Sequence, residues 1–497
     1  MRYLLTNGQM RRADEYATRQ TSALELMERA GKAIADRVQE LSFMGEILCV
    51  CGGGNNGGDG FVCARYLLSL NYPVTVFCNA EKFSAETERN RAEYLQLGGK
   101  IVSKMPSLGI AVVVDCLLGT GFKGELKPSA KAIIEEINTL KNQGAYVLSA
   151  DVPSGLNDNG RAEYAVYADE TLCIGQEKLA VRLLDGLDFA GEVSTLDIGI
   201  GVLETEKTEY AVAVEKQEVK EILPKRKRNS HKGSYGRVAI VGGSAQYTGA
   251  PYLSTLSALR SGVGYTTLFV ADGIAQDYIL RTPEALIERL DGDKELLFNA
   301  RDFKKMHPYD AVCYGMGLGV SEEVFKGVEY LLKNYTGKLI LDADALNSLA
   351  KYGSAELLIE KKCEVLITPH VKEFSRLTLK TVDEILSDSL EKAKKFANAY
   401  KVSVLLKGAS TVITDGTHTF LNLTGCSAQA KGGSGDVLAG LIGGLCAQGL
   451  SVLDGGVAGS YIAGVSAEFS SEEVTEYSAL PTDFIQAFTR AFKFVTD

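Results

Sequence analysis

A glycine-packed stretch, Gly52-Gly53-Gly54-Asn55-Asn56-Gly57-Gly58-Asp59-Gly60, follows an apolar run at residues 47–51 and precedes a helical pattern at residues 61–70. A strand-to-helix junction of this kind points to α/β architecture. Its glycines let backbone N–H groups approach an anion, and the helix start adds partial positive charge. The stretch is not G-x-G-x-x-G with an acidic ribose reader at Rossmann spacing. Nor is it a Walker loop, because no Gly-Lys-Ser/Thr follows. Asn55, Asn56 and Asp59 add amide and carboxylate groups that a bare turn would not need.

Apolar runs at 74–78, 110–116 and 146–150, with a helical pattern near 129–141, predict a parallel sheet covered on both faces. Ligands of such sheets bind beyond the strand carboxyl ends. Asp115 ends one strand, ahead of Gly119-Thr120-Gly121-Phe122-Lys123-Gly124-Glu125. Asp151 ends another, ahead of Val152-Pro153-Ser154-Gly155. Oxygens of Asn56, Asp115 and Ser154 suit a hard cation. Read singly, each Asp fits a helix cap or a solvated loop, but three such loops on one sheet edge favour a binding site.

Before this series, the first forty-odd residues read as helix. Ser22 and Glu25 form a capping box ahead of Leu24, Met27, Gly31, Ile34, Val38 and Leu41. That apolar stripe fits packing on its own domain or a subunit interface, and a homo-oligomer is expected. After it, the basic run Pro224-Lys225-Arg226-Lys227-Arg228-Asn229 lacks apolar periodicity and reads as part of a solvated linker. A second α/β series then begins, with strands at 237–241, 265–270, 310–314, 338–341, 364–367 and 402–406. A hairpin is predicted from 411–414 and 418–423, and helices at 381–400 and 435–450. The organisation is residues 1–215, a linker at 216–232, and residues 233–497.

The sharpest local signal in the second half is Lys431-Gly432-Gly433-Ser434-Gly435-Asp436, which opens an apolar helix. A Gly-rich helix start offers N–H donors to a transferring phosphoryl group. Phosphate repels an Asp placed there, so Asp436 reads as acceptor of an attacking hydroxyl's proton. A helix N-cap worth about 1 kcal/mol is the competing reading. Lys407-Gly408-Ala409-Ser410-Thr411 follows a strand and offers a cation and hydroxyls for a nucleotide phosphate. Gly242-Gly243-Ser244, Thr248-Gly249-Ala250, Gly315-Met316-Gly317-Leu318-Gly319, Asp342-Ala343-Asp344-Ala345-Leu346-Asn347 and Thr368-Pro369-His370 stand at other strand ends or helix starts.

Composition narrows the partners. The net charge of −10 argues against nucleic-acid polymers and basic membrane-surface helices. No apolar stretch is long enough to span a bilayer, and residues 1–16 lack a signal-peptide core, so a cytoplasmic protein is expected. Ten cysteines without a C-x-x-C pair, and only four His, read as buried thiols rather than a zinc site or a disulfide framework.

Gly-Gly-Gly-Asn-Asn-Gly-Gly-Asp-Gly, Gly-Thr-Gly-Phe-Lys-Gly and Asp-Val-Pro-Ser-Gly together resemble the NAD(P)H-hydrate epimerase family, over roughly residues 1–215. The resemblance implies a Rossmann-like three-layer fold. It implies a hydrated dinucleotide bound by Asn55, Asn56, Gly57, Gly58 and Asp59, by Gly119, Thr120, Gly121, Phe122, Lys123, Gly124 and Glu125, and by Asp151. It also implies a K+ ion at Asn56, Asp115 and Ser154, and interconversion of R and S hydrates at C6, for which Asp151 is the candidate proton carrier. The second half resembles the ribokinase-like superfamily and, within it, NAD(P)H-hydrate dehydratase, over roughly residues 225–497. Met316 stands where that family has Pro, and Val371-Lys372 where Pro-Gly is usual. This resemblance implies hydrate contacts from Ala250, Gly317, Gly319, His370 and Asp436, and nucleotide contacts from Lys407, Gly408, Ala409, Ser410, Thr411 and Gly435. ADP with Mg2+ would phosphorylate the hydrate, releasing AMP, and phosphate would then leave as NAD(P)H forms. A small-alcohol kinase with a non-catalytic N-terminal module is the alternative.

Overall fold

In the computed structural model, which describes residues 1–122 and 124–497, the chain divides into two units, Tyr3–Ala211 and Val212–Asp497, the second also taking Met1–Arg2. The first unit holds a parallel sheet of β1 (Glu46–Cys51), β2 (Val74–Phe77), β3 (Lys100–Val102), β4 (Ile110–Cys116), β5 (Tyr146–Ala150), β6 (Glu170–Ile174) and β7 (Glu192–Leu196). Its spatial order is β3-β2-β1-β4-β5-β6-β7. Central strands covered on both faces must be apolar almost throughout, as Ile47–Cys51 and Val112–Cys116 are. The order reverses between β1 and β4, and an open sheet leaves its ligand crevice at such a point.

The start of the chain departs from the all-helix expectation. Arg2–Leu5 is a strand, paired in parallel with Glu177 and Lys178. Leu4 and Leu5 are both fully buried, and covering neighbours on both sides is a strand's geometry rather than a helix stripe's. Two helices follow, α1 (Asn7–Gln20) and α2 (Ala23–Glu40). The Ser22 capping box is half formed: its hydroxyl accepts from Glu25 N at 3.1 Å, while the Glu25 carboxylate turns to Thr21 and Arg29. The apolar stripe of α2 packs inside its own unit, so closely that a Cβ on Gly31 would lie 2.4 Å from Val62 Cβ.

Helix α3 (Asn55–Ser69) begins six residues earlier than residue 61, so the glycines after Gly54 are its first turns rather than a loop. They permit close packing. A Cβ on Gly57 would sit 1.9 Å from Gly52 O, a backbone atom that cannot yield. Gly57→Ala is expected to destabilise this unit by about 1–3 kcal/mol through overpacking, checked by denaturant unfolding.

The second unit repeats the logic with β8 (Arg237–Val241), β9 (Tyr265–Ala271), β10 (Leu286–Leu290), β11 (Ala311–Tyr314), β12 (Lys338–Leu341), β13 (Glu364–Ile367) and β14 (Ser403–Leu406), parallel in the order β10-β9-β8-β11-β12-β13-β14. The expected hairpin, β15 (Thr411–Thr414) and β16 (Thr419–Asn422), continues the sheet antiparallel. Four helices matter to the site: α4 (Gly249–Arg260), α5 (Asp344–Tyr352), α6 (Val371–Thr378) and α7 (Ser434–Ala447). Helix α7 is apolar all round because it is buried. It presses on α4, where Ser257 donates its hydroxyl to Val437 O at 2.6 Å. The helix expected over 381–400 is split at Asp388, which sits at φ −164°, ψ 64°. Part of the stretch read as solvated linker is ordered: Lys216–Ile222 is a helix with Val219 buried, and Arg226 donates to Gly262 O at 2.9 Å.

All ten cysteines are free, eight of them buried. Among the described residues, no helix is long and apolar enough to cross a membrane.

Candidate active sites

In the first unit, the carboxyl ends of β1, β4 and β5 open onto a cavity of about 550 Å3. Asn55, Asn56, Asp59, Gly119, Thr120, Gly121, Phe122 and Asp151 line it, so three separate loops converge as the sequence implied. Gly57 and Gly58 do not line it, being turned into the packing of α3. Gly124 and Glu125 face a neighbouring cavity of about 510 Å3 that shares Phe122, and Lys123 lies outside the described residues. The N-terminus of α3 carries no side-chain cap, which leaves its first N–H groups for an anion.

Asp115 is fully buried and anchors the second and third loops. Its Oδ1 accepts from Ser154 Oγ at 2.6 Å, and its Oδ2 accepts from Ser154 N and Ser149 Oγ, each at 2.9 Å. Burial raises the Asp115 carboxyl's pKa, against these hydrogen bonds. Asn56 differs: both its side-chain oxygen and nitrogen are buried without a partner. A buried amide left unmade costs about 1–3 kcal/mol, so the group is shaped for something that binds. Its Cβ lies beside Gly119, 3.1 Å from where a Cβ on that glycine would be.

Asp151 sits at φ +71°, a backbone region rare for a side-chain-bearing residue. There its carboxylate meets Lys178, whose side chain is only 1% exposed and whose ammonium also donates to Ile174 O. Two further carboxyls face the same space. Asp59 is pushed well up by burial and by Asp151 and Asp14. Asp14, on α1, is raised to about 6 by burial, with Asp151 adding to the shift and Lys178 opposing it.

In the second unit, α7 starts at Gly433, φ +103°, with no side-chain cap. Asp436 lies in its first turn, and α4 fixes that turn because Ser254 donates its hydroxyl to Asp436 O at 2.9 Å. Burial first, then Asp342, push the Asp436 carboxyl up to about 7, while Lys407 pulls the other way. Lys407 Nζ contacts Asp342 Oδ1 at 2.8 Å and lies 3.4 Å from where a Cβ on Gly435 would be, which places the pair beside the start of α7. Burial works against the Lys407 ammonium, but the carboxylates of Asp342 and Glu373 outweigh it and raise its pKa. Asp344 Oδ2 accepts from Gly319 N at 2.8 Å, and Gly317 lies against Ala250.

His370 caps α6. Its Nδ1 accepts from Lys372 N at 3.1 Å and Glu373 N at 3.3 Å, so a neutral ring carries its proton on Nε2. Burial, then Lys407, hold its pKa below the ordinary histidine value. Its backbone bridges that of Lys407, which donates N–H to Pro369 O at 2.9 Å. The structure thus gathers Lys407, Gly435, Asp436 and His370, with Gly317, Gly319 and Ala250 on neighbouring strand and helix ends. Gly408, Ala409, Ser410 and Thr411 form the turn beyond Lys407, where Thr411 donates to Gly408 O at 3.2 Å.

A family model described as NAD(P)H-hydrate dehydratase matches residues 238–490, and one described as YjeF-related protein N-terminus matches residues 23–180. The bifunctional NAD(P)H-hydrate repair enzyme Nnr of Thermofilum pendens is 34% identical over 467 residues, which cover 90% of this chain and 88% of that protein. The enzyme of the same name from Moorella thermoacetica is 33% identical over 512 residues, 97% of this chain and 95% of its own. This chain belongs to the bifunctional NAD(P)H-hydrate repair enzyme family. A solved ADP/ATP-dependent NAD(P)H-hydrate dehydratase from Bacillus subtilis, co-crystallised with ATP and Mg2+, matches with TM-score 0.51 at 30% identity, over 57% of this chain and 99% of that one. A ribokinase-like superfamily protein from Enterococcus faecalis matches with TM-score 0.50 at 25% identity, over 58% and 97%.

Within this family frame, the motif loops were readable but their partners were not. Lys178 and Asp14 carry no motif. Lys178 follows Glu177 in a two-residue strand, and Asp14 is one polar position on an amphipathic helix. Glu373 was also missed, although its spacing three residues after His370 is the capping-box signal, and Glu373 Oε2 does accept from His370 N at 2.9 Å.

Proposed function

We propose that this chain repairs hydrated NADH and NADPH, its first unit interconverting the R and S hydrates and its second dehydrating the S hydrate at the expense of ADP or ATP. The observation that carries this reading is Asp436: a carboxylate with pKa near 7, in the first turn of an uncapped helix, beside the Lys407–Asp342 pair. Hydroxide is a poor leaving group at C6, and phosphate is a good one. Asp436 takes the C6 hydroxyl proton as that oxygen attacks the terminal phosphoryl group. The N–H of Gly435, at the start of that helix, stabilises the transferring charge. Phosphate then leaves with push from the ring nitrogen as a proton is lost from C5, restoring the reduced nicotinamide. A magnesium ion, when bound, neutralises phosphate charge. Asp344, whose Oδ2 also accepts from Gly319 N at 2.8 Å, is the residue that would hold such an ion.

In the first unit the α3 N-terminus holds dinucleotide phosphate, and Asp151 works at C6. The partnerless amide of Asn56, together with the oxygens of Asp115 and Ser154, suits a K+ ion, which these residues would hold and which would supply positive charge to the site. Replacing K+ by Li+ is expected to lower the unfolding temperature of the parent chain and leave Asn56→Ala unmoved, because a ligand stabilises only the state that binds it.

Two readouts test the dehydratase. With S hydrate and ADP or ATP, the reduced-nicotinamide absorbance returns, whereas a stable phosphorylated product without that absorbance would mark a kinase instead. Because Asp436 must be ionised to accept a proton, kcat/KM for dehydration falls as pH drops below about 7. Stability has the opposite sign. Burial favours the neutral carboxyl, so its contribution is full below the ordinary carboxylate range and is lost as pH rises through about 7.

A further inference from the structure

Epimerisation at C6 moves two protons on two faces of the ring. On one face a carboxylic acid protonates the departing hydroxyl oxygen. The C6–O bond breaks as the ring nitrogen lone pair forms N1=C6, and water leaves. On the other face a water oxygen bonds to C6, the π pair returns to nitrogen, and that water gives its proton to a carboxylate. One proton has passed between two carboxyl groups, and the reverse reaction passes it back. Such a cycle needs two groups on separate walls, each able to hold and to lose a proton.

The cavity of the first unit has three carboxyls, and their surroundings differ. Asp151 comes from the carboxyl end of β5 and is ion-paired with Lys178. Asp59, on α3, is only 9% exposed, and burial pushes its carboxyl well up, with Asp151 and Asp14 adding to the shift. Asp14 comes from α1, a wall of its own. It lines the cavity with Met10 and Arg11, is half-buried, and among the described residues its carboxyl takes no ion pair or side-chain hydrogen bond. No packing duty explains a carboxyl placed there.

Building on the epimerase reading above, we propose that Asp14 is the second proton carrier of the epimerisation, acting from the α1 wall while Asp151 acts from the strand-end wall. Its half-buried position lets solvent restore its proton between turnovers. Burial raises it to about 6, against the pull of Lys178 and with the push of Asp151 and Glu15, which suits a group that must both give and take.

The test uses the full chain, with dehydration of S hydrate by the second unit as an internal control. In Asp14→Asn, kcat for R-to-S interconversion is expected to fall about 10²–10⁴-fold. KM for the hydrate, the unfolding temperature and S-hydrate dehydration should stay near those of the parent, and Asp14→Glu should recover part of the loss. Interconversion by Asp14→Asn within a few-fold of the parent overturns the proposal. So does a loss that appears in KM or in unfolding temperature instead of kcat, since that marks a binding or packing residue. A parent chain that cannot interconvert the hydrates at all would instead refute the epimerase reading on which the proposal rests.

Discussion

Asp436→Asn is expected to reduce ADP- or ATP-driven dehydration of the S hydrate by about 10²–10⁴-fold, the range for loss of a positioned general base. R-to-S interconversion by the same chain should be unchanged. The amide keeps the size of the carboxyl and leaves the α7–α4 contact intact, because Ser254 bonds to the backbone oxygen of residue 436 and not to its side chain. The fold should not suffer. A carboxyl raised to about 7 by burial is costly to keep ionised, and a neutral side chain there removes that cost. Steady-state rates on each hydrate, with thermal unfolding of both proteins, check the prediction. Equal losses in both activities would mean that the substitution damages the chain rather than the chemistry.

Lys178→Met carries the second large effect. Lys178 is 1% exposed and paired with Asp151, and removing one partner of a buried pair costs about 3–5 kcal/mol because the other charge is left uncompensated. Unfolding of the first unit should shift by that amount, and epimerisation should be lost with it. Adding Asp151→Asn removes the stranded charge, and Asn tolerates the positive φ of that position. The double variant should therefore regain most of the stability and none of the epimerisation. Recovery of activity in the double variant would show that Asp151 does not handle a proton.

How much the sequence revealed depends on whether local chemistry or distant packing decides a feature. The central strands β1, β4, β5, β8 and β12 were legible because burial on both faces demands unbroken apolar runs. The converging loops were legible because Gly, Asn and Asp at a strand end mark binding geometry. The start of α3 was misread, since Gly57 looks like a turn residue until Gly52 O is seen 1.9 Å from its missing Cβ. The strand at Arg2–Leu5 depends on a partner more than 170 residues away, at Glu177 and Lys178, which no local window contains. Separation in sequence also hides the Lys178–Asp151 ion pair and the approach of Asp14 to it. The burial of Val219 in the basic stretch likewise follows from tertiary packing.

The two-step account is tested most directly by giving the purified chain pure R hydrate. Without nucleotide, R and S hydrates should equilibrate faster than in an enzyme-free control, and no reduced nicotinamide should form. On addition of ADP or ATP with Mg2+, the whole pool should return to NADH or NADPH at a rate that Asp151→Asn slows and that Asp436→Asn lowers about 10²–10⁴-fold. R hydrate that stays unchanged without nucleotide, or a pool that returns through Asp436→Asn at the parent's rate, would contradict it.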